Sequence, residues 1–525
     1  MEREQAAKQE KKINFVFAGF IFIMAIYYGY RMFALIPWYD ELYTYYYFIS
    51  RGPVYAAIHW PLPNNHVGYS VLSGILNYLG SSAIGLRGVS YIAALGNLIL
   101  LYRLGRRHFS GWLAVCVPVL YASMNLVNQL AVQGRGYTLA VTCFLLALEM
   151  MEIICLKENA GKKHYIIFAL SLTLGLYILP SSVYWVVPLC VTGGIYLLYR
   201  WLRESNKKNI YSKILFRLVT ASVCAAVMTL FLYALIWLAI GSNLLSKDAE
   251  GAFAGMSHAS IIMTAPLQSM GAGMEYMLAT PYIQSVERAG YTARLGEWLL
   301  TLFQYLGNIP TIAYAIAVLL SAGIFIIGIQ IKKAAKKQDN KEQFLMIFLL
   351  CTTYSIPVLL WIQCSLPYYR VFSYIGVMIA CLSVWLINEI SKKLPWRQTW
   401  LVCTLTILAL AAGCLFSPDY LAQYSIREYS MAEALKKAHI NENMNVAVTD
   451  CTSQYMIKYL YGVEYENQDI EGCDLVLLDK RMADKEFDSF EWEFYHYYNT
   501  IPWDYMNEHM IQEYENDYFL LYRKQ

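Results

Sequence analysis

Residues 66–80 read HVGYSVLSGILNYLG, and the threading of every later segment depends on whether they cross a bilayer. The stretch is apolar enough to be counted as a span. If it crossed, the basic run YRLGRRH at 102–108 and all later basic loops would lie on the outer side of the membrane. With the stretch lying at the outer interface, or dipping in and back, the clusters Lys11/Lys12, Arg103/Arg106/Arg107, Lys162/Lys163, Lys207/Lys208, Lys332–Lys337 and Lys392–Arg397 all fall inside. Cytoplasmic loops carry the excess of lysine and arginine, so the sequence is read without a crossing at 66–80. The alternative is one further span and an inverted C-terminal tail.

The composition supports a membrane protein. The chain of 525 residues is 58% hydrophobic and only 15% charged, with a mean hydropathy of +0.38, which sets it apart from ordinary globular usage. Its formal charge of +3 is too small to indicate a nucleic-acid partner. Spans need roughly 20 mostly apolar residues. About eleven segments meet that criterion: 13–31, 86–104, 111–129, 136–156, 165–180, 183–200, 214–240, 309–331, 344–364, 371–390 and 399–416. The first has the basic flank of a signal sequence but no small-residue cleavage site after it, and is read as an uncleaved span.

This threading leaves the loops 32–85 and 241–308 and everything after residue 416 outside. Loop 241–308 is rich in Gly, Ala and Met and suits a lid beside the membrane. Residues 417–525 form a separate domain. There NVAVTD (445–450), CDLVLLDK (473–480) and the final YFLLYRK suit strands, with SQYMIKYLYG as a helix between the first two. The expected fold is thus a polytopic α-helical membrane module with a small extracytoplasmic α/β domain. Of twelve cysteines most lie in apolar runs; Cys451 and Cys473, in the polar tail, either pair or remain two thiols.

Chemistry is expected where the first span ends, in IPWYDELYTYYYFISRGP (36–53). Carboxylates beside lipid are costly unless solvated, paired or working, and Asp40 and Glu41 stand there together. A solvated loop edge with a tyrosine belt is one reading. If the segment is a helix, adjacent side chains diverge by about 100°, so a single carboxylate faces a given reacting atom. That disfavours a paired-carboxylate glycosidase and leaves one base for a hydroxyl nucleophile. Asn64, Asn65 and His66 in WPLPNNHVGYSVL bring hydrogen-bonding groups to the same surface, Arg135 lies between glycines in QLAVQGRGYTLAV, and Arg370 follows the proline turn of QCSLPYYRVFSY. Each has a plain alternative, a surface histidine or snorkelling arginines. Together they suit a transferase acting on a phosphate-bearing lipid, because arginine forks bind phosphate oxygens and stabilise a departing phosphate.

The motifs WYDELY, LPNNHVGYSVL, GLRGVSYIAALGNLILLYRLGRR, GRGY and PYYRVFSY resemble those of the C-type (GT-C) integral-membrane glycosyltransferases, in particular the protein O-mannosyltransferases and the aminoarabinose transferases of lipid A. The resemblance covers about residues 13–416 and is strongest over the first 140. It implies Asp40 as catalytic base with Glu41 as its companion at the acceptor side. It also implies His66, Arg135 and Arg370 as contacts to the donor phosphate, Asn64, Asn65, Tyr137 and Tyr369 as substrate contacts, and a structural Arg87. GRGY is followed by TLAVTCF with no aspartate, and Asn65 stands where the aminoarabinose transferases carry glutamate; both departures weaken a bound metal.

The implied reaction is inverting transfer of a monosaccharide from a polyprenyl-phosphate donor to a hydroxyl of a glycan, lipid or protein, without a cofactor, at a bacterial plasma membrane. Rival readings are a transporter or lipid flippase, which predicts related halves with broken helices meeting near the midplane, and an assembly scaffold, which predicts no lipid-phosphate pocket.

Overall fold

The computed structural model describes residues 2–58, 65–240, 288–307, 310–364, 366–391, 404, 406, 408–413, 422–465, 469–487 and 496–525. Asn64, residues 241–287 of the loop 241–308, most of the expected span 399–416 and the boundary near 416 lie outside these residues.

The membrane part is helical. In chain order its first elements are α1 (Glu2–Ala34), α2 (Tyr39–Thr44, running on into a wider turn at Tyr45–Ile49), α3 (Pro53–Ile58), α4 (Val67–Asn77) and α5 (Ser82–His108). There follow α6 (Leu113–Ala122), α7 (Asn125–Leu130), α8 (Tyr137–Leu156), α9 (Lys162–Ile178), α10 (Val183–Arg203) and α11 (Lys208–Ile240). The last four are α12 (Tyr291–Gly307), α13 (Pro310–Lys337), α14 (Asn340–Gln363) and α15 (Ile375–Ser391).

Among the described residues seven helices are long and apolar enough to cross a membrane, so the protein is polytopic. The expected eleven are not all tested by this, since most of 399–416 lies outside the described residues; of the rest, three are not found as full-length apolar helices. Segment 111–129 is broken into α6 and α7 by an extended residue at Met124, and α9 and α15 have 17 residues each, just short of a full crossing.

The stretch at 66–80 forms α4, 11 residues and hence about 17 Å long, roughly half of a 30 Å hydrocarbon core. It lies against α3 closely enough that a Cβ at Gly74 would meet the Pro53 nitrogen at 2.9 Å. Val67, Tyr69, Ser70 and Ser73 are buried, while Leu72, Ile75, Tyr78 and Leu79 are exposed. An amphipathic helix of that length suits an interface rather than a crossing.

Polar side chains register α5 against α8, as expected where hydrophobicity does not choose between helix and lipid. The Asn97 amide donates to the Thr138 carbonyl (3.0 Å), and the Thr142 hydroxyl donates to Asn97 Oδ1 (2.7 Å). At the far end of the pair, Glu149 takes Arg103 and Arg107 at 2.6 and 2.8 Å, and Glu152 takes Arg107 and His108 at 2.7 and 3.1 Å. Arg87 and Arg107 are separated by twenty residues of one helix, so about 30 Å, a bilayer core, lies between them.

The C-terminal part comprises α16 (Ala422–Ala438), α17 (Cys451–Tyr461), α18 (Trp503–His509) and a four-stranded sheet in the order β1-β2-β4-β3. β1 (Val446–Ala447) and β2 (Leu475–Asp479) are parallel and joined through α17; β4 (Phe519–Lys524) pairs antiparallel with β2 and with β3 (Met510–Glu515). Both faces of β2 are covered, Leu475 and Leu477 by α16 and α17, Val476 and Leu478 by Ile501 and Met506, which explains its unbroken apolar run. The expected strand at 445–450 is shorter, because Asp450 turns to cap α17 by accepting from the Ser453 amide (2.8 Å). Cys473 donates to the Asp469 carbonyl and Cys451 packs with Tyr39 and Tyr43, so no disulfide joins them.

Candidate active site

The segment after α1 is shaped by Pro37 and by a capping arrangement at Trp38, whose amide donates to the Glu41 carboxylate at 3.3 Å. Asp40 and Glu41 therefore both stand in the first turn of α2, where the helix end favours negative charge. From there their side chains part.

Glu41 turns inward and is fully buried. Its oxygens accept from Arg87 Nε (2.7 Å), Arg87 Nη2 (2.9 Å) and the Gly134 amide (2.6 Å). Arg87 spends its remaining reach on the end of α1, donating to the carbonyls of Met32 (3.2 Å) and Leu35 (2.7 Å). This pair ties α1, α2, α5 and the loop before α8 to one another.

Asp40 turns the other way. Its Oδ2 lies 3.0 Å from Arg370 Nη2 and 3.9 Å from Arg135 Nη2. The carboxylate side chain keeps 18% exposure against 2% for Arg135 and 8% for Arg370, so it is the open edge of an otherwise closed cluster. Arg135 also donates to the Thr44 hydroxyl (2.6 Å), which in turn donates to the Asp40 carbonyl (2.7 Å). Arg370, on a short turn at Tyr369–Phe372, donates to the Tyr137 hydroxyl (2.6 Å) and is overlaid by the rings of Tyr368 (4.5 Å) and Trp38 (4.9 Å).

The glycines of GRGY have separate tasks. The Gly134 amide holds Glu41, and the Gly136 amide donates to His66 Nδ1 at 2.9 Å, leaving Arg135 between them. A Cβ at Gly134 would sit 2.5 Å from Leu86 Cδ1 and 3.0 Å from Glu41 Oε1, so any side chain there would displace Leu86 and crowd the Glu41 carboxylate.

His66 carries the clearest electrostatic signal. Burial first, then the charges of Arg135 and Arg370, hold its pKa well below the ordinary imidazole value, so the ring is neutral. Its Nδ1 accepts from the Gly136 amide while its Nε2 lies 3.2 Å from Arg135 Nη2. An imidazole accepting at both nitrogens would be an anion. With Nδ1 committed to a fixed backbone donor, Nε2 carries the proton and sets donor against donor at Arg135. An acceptor oxygen reaching both groups would resolve that conflict.

The structure thus brings Asp40, His66, Arg135, Tyr137 and Arg370 together. Other expected substrate contacts lie elsewhere. Asn65 is buried, donating to the Ala56 carbonyl (3.1 Å) and accepting from Ser70 (2.7 Å), and so ties α3 to α4. Tyr369 turns away to stack on Trp298 (5.2 Å) and Tyr305 (4.9 Å) of α12, and its neighbour Tyr368 covers Arg370 instead. Asn64 is outside the described residues. Trp38, Thr44 and Tyr368 were not anticipated; only Thr44, one helical turn after Asp40, was signalled by spacing.

Beside Tyr137 lies a small cavity of about 10 Å³, room for a single water, lined by Val141, Leu179, Trp185, Val371 and Tyr374 among others. Among the described residues no three His, Cys, Asp or Glu side chains form a metal-ligand group.

No family model and no curated protein matches the chain. Solved structures similar to it include two membrane enzymes. One is the archaeal oligosaccharyltransferase AglB from Archaeoglobus fulgidus, in complex with an inhibitory peptide and a dolichol-phosphate, at 12% identity and a TM-score of 0.43 over 88% of this chain. The chain spans 61% of the length of that protein. The other is ArnT from Cupriavidus metallidurans bound to undecaprenyl phosphate, at 11% identity and a TM-score of 0.40, covering 97% of each chain.

Proposed function

We propose that the protein is an inverting glycosyltransferase that moves a monosaccharide from a polyprenyl-phosphate donor to a hydroxyl acceptor on the outer face of the membrane. The observation that carries this reading is a carboxylate at the open edge of two buried arginines, with a buried histidine whose Nε2 lies 3.2 Å from one of them. A phosphodiester oxygen at that edge accepts from His66 Nε2, Arg135 and Arg370, and in doing so releases Asp40 from its ion pairs.

In the transfer step the acceptor hydroxyl gives its proton to Asp40 while its oxygen bonds to the anomeric carbon. The bond from that carbon to the phosphate oxygen breaks, and its electron pair stays with the phosphate. Before the step two guanidinium charges balance the Asp40 carboxylate and the singly charged phosphodiester; afterwards they balance a doubly charged phosphate beside a neutral Asp40. Charge in the closed cluster is conserved, which avoids the cost of leaving an unbalanced ion in low dielectric. Tyr137 orients Arg370.

Glu41, expected at the acceptor side, is read here as a positioning group, since its oxygens are occupied by Arg87 and two backbone amides. Orientation rests on the basic cluster about 30 Å from Arg87 along α5, which the positive-inside rule assigns to the cytoplasm. A transporter would gather its polar groups near the bilayer midplane rather than at one end of the bundle.

The test is chemical. Purified protein in lipid discs is given a panel of labelled polyprenyl-phosphate sugars and candidate acceptors. Label is expected to become covalently attached to an acceptor with wild-type protein and not with Asp40→Asn; equal transfer by the variant would remove Asp40 from the base role.

A further inference from the structure

The helix that presents Asp40 has a second face, and the C-terminal α/β domain holds it. Glu428 on α16 is 6% exposed, and its Oε1 accepts from the Tyr39 amide at 3.0 Å. Tyr39 is the first residue of α2, so a carboxylate from the other domain caps the orphan amide immediately before Asp40. Leu42, one turn further on, is fully buried in the same cluster as Met431 and Leu435, which follow Glu428 on the face of α16 turned to the sheet. The Tyr39 hydroxyl lies 3.7 Å from Cys451 Sγ at the start of α17, and Tyr46 stacks on Tyr455 with ring centres 5.5 Å apart. α16 is itself fixed on the sheet, because Arg427, next to Glu428, pairs with Asp479 at the end of β2.

In small α/β units ligands bind beyond the carboxyl ends of the parallel strands. Here the helix that follows β1 packs on Tyr39 and Tyr43 of the membrane module. The α/β domain thus uses that end to grip the segment bearing the proposed base.

We infer that Glu428 is a positioning residue for the transfer reaction, through which the α/β domain sets Asp40 in register with Arg135 and Arg370. This rests on Asp40 acting as the base. The same contacts that leave one face of α2 to the arginines commit the other to a domain that can be altered without touching the donor site.

The experiment uses the full-length protein, as wild type, Glu428→Ala, Glu428→Gln and Asp40→Asn. Each is assayed for sugar transfer and for amide hydrogen exchange in the peptide 36–46. Loss of one charge-assisted hydrogen bond to a helix-end amide is expected to lower kcat of Glu428→Ala about tenfold, with KM for the donor within about twofold, and to speed exchange over 36–46. Glu428→Gln, whose amide oxygen still accepts from Tyr39, is expected to recover most of the turnover. Wild-type turnover in Glu428→Ala, or lost turnover with unchanged exchange over 36–46, overturns the inference. If Glu428→Ala does not fold, exchange and turnover in Glu428→Gln decide alone: both near wild type support it, and turnover lost with normal exchange overturns it. Full transfer by Asp40→Asn would sink the base assignment separately, with the exchange data still deciding whether Glu428 holds the segment.

Discussion

Replacing Arg87 by methionine removes the centre of the framework behind the site. The side chain is 1% exposed, and its contacts include two charged hydrogen bonds to Glu41 (2.7 and 2.9 Å) and two to the carbonyls that end α1 (2.7 and 3.2 Å). Stranding one partner of a buried ion pair costs about 3–5 kcal/mol, and the carbonyls add about 1–2 kcal/mol. Arg87→Met alone is therefore expected to lose about 4–7 kcal/mol, measured by unfolding in a detergent titration. Glu41→Gln with Arg87→Met leaves no charge behind, and its loss is expected to be smaller than the sum of the two single losses by about 2 kcal/mol or more, because the pair is in contact. Strict additivity would refute the reasoning, since it would mean that Glu41 does not depend on Arg87 for its charge balance.

His66 sets the stability of the protein at acid pH. Its folded pKa is depressed, so the unfolded chain takes up the proton first as pH falls below about 6.5; the stabilisation is present above that value and is progressively lost as the pH falls further. His66→Asn is expected to flatten that dependence, and an unchanged slope would show that the imidazole is not held neutral. Gly134→Ala drives a methyl into Leu86 and the Glu41 carboxylate, and is expected to destabilise by about 1–3 kcal/mol and to lower transfer as α2 shifts. The adjacent tyrosines should separate cleanly: Tyr368→Ala uncovers Arg370 and raises KM for the donor, whereas Tyr369→Ala loosens packing on Trp298 and Tyr305 and acts on thermal stability first.

The gathering of Asp40, His66, Arg135 and Arg370 was legible because each stands where an apolar run meets a polar loop on the same side of the membrane. Adjacent residues were harder. Divergence of side chains along a helix showed that Asp40 and Glu41 could not share a task, but which one turned inward depended on Arg87, 46 residues away. Tyr369 left its expected place to Tyr368 for a similar reason, since α12 offered Trp298 and Tyr305 to only one of them. Strand β3 was missed because only Met510 of its six residues is buried, as suits a polar edge strand. The segment at 111–129 read as one span because its break, at Met124, carries no glycine or proline. Glu428 had no signal at all: nothing in REYSMAEALKKAHIN distinguishes a carboxylate that reaches another domain from one in solvent.

The most direct measurement is the affinity of Asp40→Asn for polyprenyl phosphate, taken beside its rate of sugar transfer. Because Asp40 and the phosphate compete for Arg370 and Arg135, the variant is expected to bind the lipid phosphate several-fold more tightly while transfer falls by about 100- to 10,000-fold. Weaker binding together with wild-type transfer would contradict both halves of the account.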